Sequence, residues 1–455
     1  MNKDFLLKDK INIYNNLAKS GESSGRLSVV YNVYPAPAIF WEFEPESKSI
    51  GLPKHDTKGE LIKPFECNNF SMSNPSSDRV YLMGGEILTG STARSISGNL
   101  DIKGKYFTFF LPNAKFQELG ASGKNYLIKE INYKNTESSS VLGENSREGF
   151  AEMTFENGIT LTLHTPTESL DWLKADRSIG TYITTEGKLS VENEWSILEA
   201  VDFLYDISLL LSFANGGFVA PIVVAMTPLD FEKEYPIVYT AYLVDSVEHV
   251  AGTWLDRKSN IGDLIKCTPS FQKMLQSEQW KENYAYILMW YFQSIQHQGI
   301  QLGGKPWPVV ANALGTALEK LASIILVEEK GVVAGADLYG DNKKPKMNLE
   351  TKIRKLLETI GLPVVGPKYS VKGLKYGSHD YLWWFVKMRN DATHPKSIHD
   401  WKQHEINMFL GSAIQWVEET LLWRLGYDGG YINKIGNGGY FSSPRYNNDL
   451  RDSSW

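Results

Sequence analysis

Residues 389–394 read Arg-Asn-Asp-Ala-Thr-His, so an arginine and a histidine lie five positions apart and an amide side chain directly follows the arginine. The guanidinium of arginine is planar, permanently charged and matched in shape to phosphate. Histidine is the side chain that can give or take a proton near neutral pH. Arg389, Asn390 and His394 therefore form a candidate site for cleaving RNA without a metal ion.

The motif is short, and the rate at which it arises by accident matters. With 11 Arg and 8 His among 455 residues, roughly 0.2 Arg-x4-His pairs are expected by chance, and about 0.03 when Asn, Asp or His must follow the arginine. An ordinary alternative for Arg389 is a surface ion pair with Asp391 or Asp380. For His394 the alternative is a capping or core role beside Pro395. One hexapeptide would have to meet both alternatives by accident, which weakens them.

The motif lies in a basic part of an acidic chain. The net charge of the whole chain is -6, but residues 343–402 contain 13 Lys and Arg against five Asp and Glu, a local balance of +8. Such a segment is the electrostatic footprint expected where a polyanion docks, and a solvated helix face is the alternative. Lys387 and Lys396 flank the motif and are predicted to contact the RNA backbone, with a solvated role left open for both.

Three aromatic residues, Trp383, Trp384 and Phe385, precede the motif. Their simplest role is packing in a core or a dimer interface. Stacking of an RNA base on one of them is the alternative. The pattern does not decide which of the three would stack.

The sequence predicts neither a metal site nor a cofactor. His394, His399 and His404 recur every five residues, but five helical steps turn about 500° and spread these rings around a helix. His404-Glu405 lacks the second histidine of a zinc protease helix, and no phosphate-binding loop of the G-x-x-x-x-G-K-[ST] type occurs. The sequence therefore excludes a zinc protease of this type and a P-loop nucleoside triphosphatase.

Composition predicts a soluble, globular, multidomain protein. The chain is 42% hydrophobic and 12% aromatic, and its length exceeds what one core usually supports. The first residues carry charges and form no apolar signal segment, and no run approaches the ~18 apolar residues of a membrane span. The two cysteines, 67 and 267, are far apart and exclude a disulfide framework or a zinc finger. We expect a location in the reducing cytoplasm, with no membrane contact.

The predicted fold class is α+β, with a β-rich region over residues 1–255 built as an antiparallel sandwich or barrel. One helix is predicted near 193–215, because apolar residues from Ile197 to Leu211 repeat at steps of three and four and Gly216-Gly217 follows them. Short alternating or β-branched runs predict the strands 26–33, 38–43, 79–88, 106–111, 126–133, 159–164, 180–185, 218–226 and 237–244.

Residues 260–430 are predicted to form an α-helical domain, followed by a loosely packed tail over 431–455. Most of its helices are followed by glycine, the residue that tolerates the left-handed position after a helix. Pro395 disfavours helical geometry at His394, which puts the motif at a helix end or kink. The predicted helices are 270–297, 308–330, 348–360, 378–394 and 400–425.

The motif and its helical setting resemble HEPN domains, which carry an Arg-x4-6-His signature, often with a polar residue after the arginine. The segment Leu-Leu-Trp-Arg-Leu-Gly-Tyr-Asp-Gly-Gly-Tyr at 421–431 is similar to the end of the HEPN unit in ApeA-type anti-phage proteins. Upstream, residues 90–100, the Gly-Lys-Tyr-Phe-Thr-Phe run at 104–109 and the Leu-Ser-Phe-Ala-Asn-Gly run at 211–216 also resemble that family.

The resemblance implies a metal-independent endoribonuclease that acts as a homodimer in bacterial anti-phage defence by disabling translation. Two facing motif helices would form one composite site. In it His394 would be the general acid or base, Arg389 would hold the scissile phosphate and its transition-state charge, and Asn390 would orient His394 or the phosphate by hydrogen bonding. The product would carry a 2′,3′-cyclic phosphate, and transfer RNA is one candidate substrate.

The β-rich region holds no constellation of catalytic residues, and we expect it to sense a phage product or to restrain the nuclease. A second function class also fits the sequence. In that alternative the chain is a non-catalytic RNA-binding or protein-binding module that uses the helical domain as a dimerisation platform. An enzyme needs both Arg389 and His394, whereas a platform needs only the apolar helix faces.

Overall fold

A computed structural model shows a chain that combines antiparallel sheets with a helical C-terminal region, which confirms the α+β prediction at this level. The chain divides into two units, one formed by residues 1–212 and 218–249 and the other by residues 213–217 and 250–455. The residues that the structure describes are 10–20, 23–32, 38–45, 70–72, 75–82, 85–92, 96–98, 103–112, 149–155, 158–165, 183–226, 237–239, 254, 267–298, 306–340, 346–363, 368–394, 399–433, 440–442 and 445–451.

The described part of the first unit consists of antiparallel sheets and most of one helix. One sheet has five strands in the order β1-β2-β3-β6-β5, a second has six in the order β13-β12-β8-β11-β10-β9, and β4 pairs with β7. The elements are β1 (Lys10–Ser20), β2 (Ser23–Asn32), β3 (Ala38–Pro45), β4 (Phe70–Met72), β5 (Pro75–Leu82), β6 (Gly85–Thr92), β7 (Ile96–Gly98), β8 (Lys103–Pro112), β9 (Gly149–Thr154), β10 (Thr160–Thr165), β11 (Ile183–Ser196), α1 (Ile197–Asn215), β12 (Ile222–Met226) and β13 (Ile237–Tyr239).

The strand predictions 79–88 and 218–226 were each wrong in part, and the helix predicted near 193–215 is confirmed. Within 218–226 the strand begins only at Ile222. The run 79–88 is not one strand but parts of the hairpin β5-β6, in which Leu82 pairs with Gly85; its adjacent glycines, 84 and 85, are a turn signal. Helix α1 starts at Ile197 instead of 193, because Ser196 and Glu199 form a reciprocal cap: the Ser196 amide donates to Glu199 Oε2 at 2.7 Å and the Glu199 amide to Ser196 Oγ at 3.3 Å. The predicted strand 126–133 lies outside the described residues.

Helices make up most of the described second unit, and a small hairpin follows them. Four of the five predicted helices start and end within three residues of their predicted positions, but the run 270–297 is two helices, because Ser277 has an extended conformation (φ -74°, ψ 122°). The elements are α2 (Thr268–Gln276), α3 (Glu278–Gln298), α4 (Trp307–Ser323, continued by the π-helical segment Ile324–Glu329), α5 (Gly335–Tyr339), α6 (Leu349–Thr359), α7 (Tyr381–Thr393), α8 (Gln403–Leu425), β14 (Tyr431–Asn433) and β15 (Tyr440–Ser442).

Helix α8 is the centre of the second unit, since every residue from Phe409 to Leu425 is buried. A helix that is buried on all sides must pair its polar groups internally. The Tyr291 hydroxyl donates to Glu418 Oε1 at 2.5 Å, and Arg424 Nε donates to Glu329 Oε1 at 2.7 Å. Burial, reinforced by the charge of Glu418, raises the pKa of Tyr291 well above its usual value.

The segment 445–451 is held against α8 instead of forming a loosely packed tail. The backbone amide of Arg445 donates to Glu419 Oε1 at 3.0 Å, and its guanidinium donates to Glu419 Oε2 at 2.5 Å. Tyr446 is 8% exposed. The buried carboxylate of Glu419 requires this counter-charge, which the composition of the segment did not reveal.

Among the described residues, the helix 307–329 is long and apolar enough to cross a membrane by composition, with a mean hydropathy of 1.5. In the structure 67% of its most apolar stretch is buried inside the protein. Core helices of soluble proteins have the same composition, so this helix is weak evidence for a membrane span.

We expect Arg445→Ala to lower the free energy of unfolding of the second unit by about 3 kcal/mol, because it leaves the Glu419 carboxylate, 0% exposed, without this partner. Urea unfolding followed by the helical circular dichroism signal measures the change. The matched control is Lys402→Ala, which breaks an ion pair whose side chains are 64% and 94% exposed and should cost less than ~1 kcal/mol. Equal effects of the two substitutions would contradict the packing described for this segment.

Candidate functional site

The motif lies at the C-terminal end of α7, whose N-terminus is fixed by two contacts. Asp380 caps the helix by accepting the Trp383 amide at 2.9 Å. Arg354 of α6 donates to Asp380 at 3.0 Å and to Glu350 at 2.8 Å, which ties α6 to the start of α7. Leu382, Phe385 and Met388 are all buried and hold one face of the helix in the core.

His394 is the residue at which α7 ends. Its backbone leaves the helical region (φ -125°, ψ 76°), while its amide still donates to the Asn390 carbonyl at 2.9 Å. This confirms the predicted helix end, which a following proline favours. The histidine is exposed. The structure records no partner for its ring among the described residues.

Arg389 is partly buried and has no carboxylate partner among the described residues. Its Nη1 lies 3.4 Å from Asn390 Oδ1, a long contact, and its Nε is buried without an acceptor. Neither acid proposed in the ion-pair alternative pairs with Arg389 in the described structure: Asp391 is bound by Lys387 and Asp380 by Arg354. A buried donor without an acceptor costs on the order of 1–3 kcal/mol, so this guanidinium is poised for an external acceptor.

Helix α4 makes room for the arginine through Gly315. A Cβ atom at this position would lie 3.3 Å from Cγ of Arg389, which is closer than most Cβ contacts, and 3.5 Å from its Nε, which is an ordinary contact. The absence of that Cβ lets the stem of the arginine lie against the α4 backbone. The same Cβ would lie 3.6 Å from Cδ2 of Leu349, so Leu349 also packs beside Gly315.

Arg389 and Asn390 open into a cleft of about 490 Å³ between α7 and the start of α6. That volume falls within the range of about 300–1,000 Å³ typical of small-ligand sites. His394 is not among its walls. The lining residues are Glu319, Lys346, Met347, Asn348, Leu349, Glu350, Trp383, Val386, Lys387, Arg389 and Asn390.

The acids of the cleft are neutralised by lysines and arginines other than Arg389. Glu319 accepts from the buried Lys352 at 2.5 Å and lies 3.3 Å from Lys346. Burial alone would raise the pKa of Glu319, but the hydrogen bond and charge of Lys352, with Lys346, hold it below its usual value. Glu350 is paired with Arg354. Within the described part of the chain, Arg389 is thus the lining cation that no carboxylate offsets.

The structure places the two predicted backbone-binding lysines differently. Lys387 lines the cleft, but its ammonium is bound to the buried Asp391 and lies 5.5 Å from the centre of the Tyr376 ring. Its charge is already compensated inside the protein. Lys396 lies outside the described residues.

The three aromatic residues before the motif separate into two roles. Trp384 and Phe385 are 0% exposed, and the Trp384 indole donates to the Tyr369 carbonyl at 2.7 Å. Trp383 is only partly buried and lines the cleft, stacked on His379 with ring centres 3.9 Å apart. Trp384 and Phe385 are therefore core residues, which is the simpler of the two roles that the sequence allowed.

No local sequence pattern indicated the wall of the cleft opposite α7. Gly315 and Glu319 come from α4, and Lys346 and Asn348 precede α6, so tertiary packing alone brings them to the motif. Only Asn348 carries a local signature, because its side chain caps α6 by accepting the Thr351 amide at 2.8 Å. In the described part of the chain, His, Cys, Asp and Glu form no cluster of three or more that could hold a metal ion.

Comparison with known proteins gives one partial match. Residues 277–443 match the family model of the YopA C-terminal domain. The matched segment begins one residue before α3 and ends after β15, and it includes the whole cleft and the Arg389 to His394 motif. No curated protein and no solved structure matches the chain.

Proposed function

We propose that the chain is a metal-independent endoribonuclease of the HEPN type, with residues 260–430 as its catalytic domain. The observation that carries the proposal is the state of Arg389. Its guanidinium opens into a cleft, carries a buried donor without an acceptor, and has no carboxylate partner in the described residues. An RNA phosphate has the charge and the oxygen acceptors that such a group lacks.

The proposed reaction is attack of a ribose 2′-OH on the adjacent phosphate. The 2′-oxygen forms a bond to phosphorus while the bond to the 5′-oxygen breaks, which leaves a 2′,3′-cyclic phosphate and a 5′-OH. Arg389 holds the phosphate and the charge that develops on it. His394 removes the proton from the 2′-OH or gives one to the leaving 5′-oxygen. Asn390, whose Oδ1 lies 3.4 Å from Arg389 Nη1, orients the guanidinium.

The active form in this proposal is a homodimer in which two copies of α7 face each other. Each chain supplies a single His394, whereas the reaction needs one group to take a proton and another to give one. His394 is exposed at the end of α7 and does not line the cleft of its own chain, which leaves it accessible to a second copy. A two-fold symmetric pair would supply two histidines and two arginines at one composite site.

We assign the wider role by analogy with HEPN proteins of the ApeA type, and it remains a proposal. In it the second unit is a HEPN-type helical bundle and the first unit is a sandwich-like or barrel-like sensor. The protein acts in the bacterial cytoplasm, a phage protein is the trigger, and transfer RNA is one candidate substrate. Cutting transfer RNA would stop translation and limit phage growth.

One observation favours a non-catalytic alternative. The cleft takes in Arg389 and Asn390 but not His394, so a protein that only binds RNA or a partner could use the cleft without the histidine. The two functions differ in what His394→Ala does. A binding module keeps its ligand, whereas an enzyme loses cleavage.

We expect Arg389→Ala and His394→Ala each to reduce RNA cleavage by about 100-fold or more, because a general acid or base contributes 10²–10⁴-fold and a transition-state donor 10²–10³-fold. Purified full-length protein is incubated with total RNA in EDTA, and the new ends are mapped. Wild type should cut in EDTA and leave cyclic phosphate and 5′-OH ends.

The matched control for this experiment is His399→Ala, which removes a nearby, partly buried histidine that contacts Trp401 and lies outside the motif. It should cut at the wild-type rate. Full activity of His394→Ala, or loss of wild-type activity on chelation, would contradict the proposed mechanism.

The defence role predicts a difference between infected and uninfected cells. Cells that express the full chain should grow normally until phage infection, then show RNA cleavage and release fewer phage. His394→Ala should give no protection at the same protein level. Equal cleavage before and after infection would show that the first unit does not restrain the nuclease.

A further inference from the structure

Trp383 is the aromatic residue of the cleft wall, and neighbouring rings hold it in a fixed orientation. The Trp383 indole stacks on the His379 ring at 3.9 Å with an interplanar angle of 13°, and the Tyr376 ring centre lies 5.4 Å away. His379 is itself held, because its Nε2 is 2.6 Å from the Tyr376 carbonyl. A carbonyl oxygen only accepts, so this nitrogen carries the hydrogen. A ligand that contacts Trp383 meets a ring that is already in place.

Trp383 shares one face of α7 with two polar residues of the cleft. Trp383, Lys387 and Asn390 are spaced at i, i+4 and i+7, which places them on one side of a helix. All three line the cleft. Seven residues of helix span about 10 Å. Trp383 and Asn390 are therefore separated by roughly the length of one nucleotide. His394 follows one turn beyond Asn390.

The chemistry of the cleft selects a particular kind of ligand. The aromatic end offers the partly buried Trp383, and the other end offers the guanidinium of Arg389, which no carboxylate pairs with among the described residues. The lining carboxylates of Glu319 and Glu350 already have cationic partners. A ligand with one flat ring and one anionic group about a helix turn or two apart fits both ends at once. A nucleotide has this form.

We propose that the cleft binds one unpaired nucleotide of single-stranded RNA beside the scissile bond, with its base stacked on Trp383 and its phosphate against Arg389 and Asn390. The proposal rests on the ribonuclease function proposed above and names the form of RNA that this site takes. A base inside a duplex has both faces covered, so only an unpaired base reaches the indole. Stacking makes the site tolerant of base identity, because every base has a π face.

The test uses full-length protein and a labelled 2′-O-methyl hexaadenylate, in which the blocked 2′-oxygen prevents cleavage. Affinity is measured by fluorescence anisotropy for this intact probe and for a version of the same length that lacks all six bases. For wild type, the loss of the bases should weaken binding about tenfold, because no base is left to stack on Trp383. This measurement on the wild-type chain needs no substitution that could disturb folding.

Substitutions then identify the stacking ring. Trp383→Ala should weaken the intact probe about tenfold and remove the difference in affinity between the intact and base-free probes, whereas Trp383→Phe should stay within about threefold of wild type. The matched control is Tyr286→Ala, which removes a 44% exposed aromatic residue of α3 outside the cleft. It should bind like wild type.

Three results overturn the inference: no binding of the intact probe by wild type, equal affinities of wild type for the intact and base-free probes, or wild-type affinity of Trp383→Ala. The cleavage assay separates this failure from failure of the proposed function. If RNA cleavage depends on His394 but Trp383→Ala cuts with an unchanged KM, only the nucleotide site is wrong. If the probe binds through Trp383 and wild type cuts no RNA, the site stands and the ribonuclease function is wrong.

Discussion

The candidate site depends on one constraint, which is that Arg389 is held partly inside the protein and has no carboxylate to balance it among the described residues. The stem of the side chain lies against Gly315 of α4, where an added Cβ atom would lie 3.3 Å from Arg389 Cγ and would require a small shift. Its buried Nε has no acceptor in the same part of the chain. A charged donor in this state is unfavourable in the free protein, and an anionic ligand relieves it.

The surrounding acids are kept away from Arg389 by partners of their own. Asp391, the acid nearest to it in sequence, is bound by Lys387, and Asp380 is bound by Arg354. Glu319 is paired with the fully buried Lys352, whose position on α6 fixes that helix against α4. The same ion pairs that assemble α4, α6 and α7 therefore leave one cation uncompensated at the point where the three helices meet.

Local sequence patterns predicted most of the helices. They did not predict which residues form the cleft opposite α7. The end of α7 at His394 followed from Pro395, and the apolar repeat of α1 followed from positions such as Leu204 and Leu211, which are buried. The break at Ser277 was missed because no glycine or proline, the usual signals of a helix end, occurs in residues 270–297. The wall formed by Glu319 and residues 346–350 depends on which helices touch, and no local pattern contains that information.

The most direct test of the account is the salt dependence of RNA binding by Arg389→Ala. Affinity for the 2′-O-methyl hexaadenylate is measured in EDTA over a series of salt concentrations, with the exposed-lysine variant Lys402→Ala as control. We predict that Arg389→Ala binds more weakly and that its slope of log affinity against log salt is shallower by about 0.7, the contribution of one phosphate on a single strand. An affinity and slope equal to those of wild type would contradict the account.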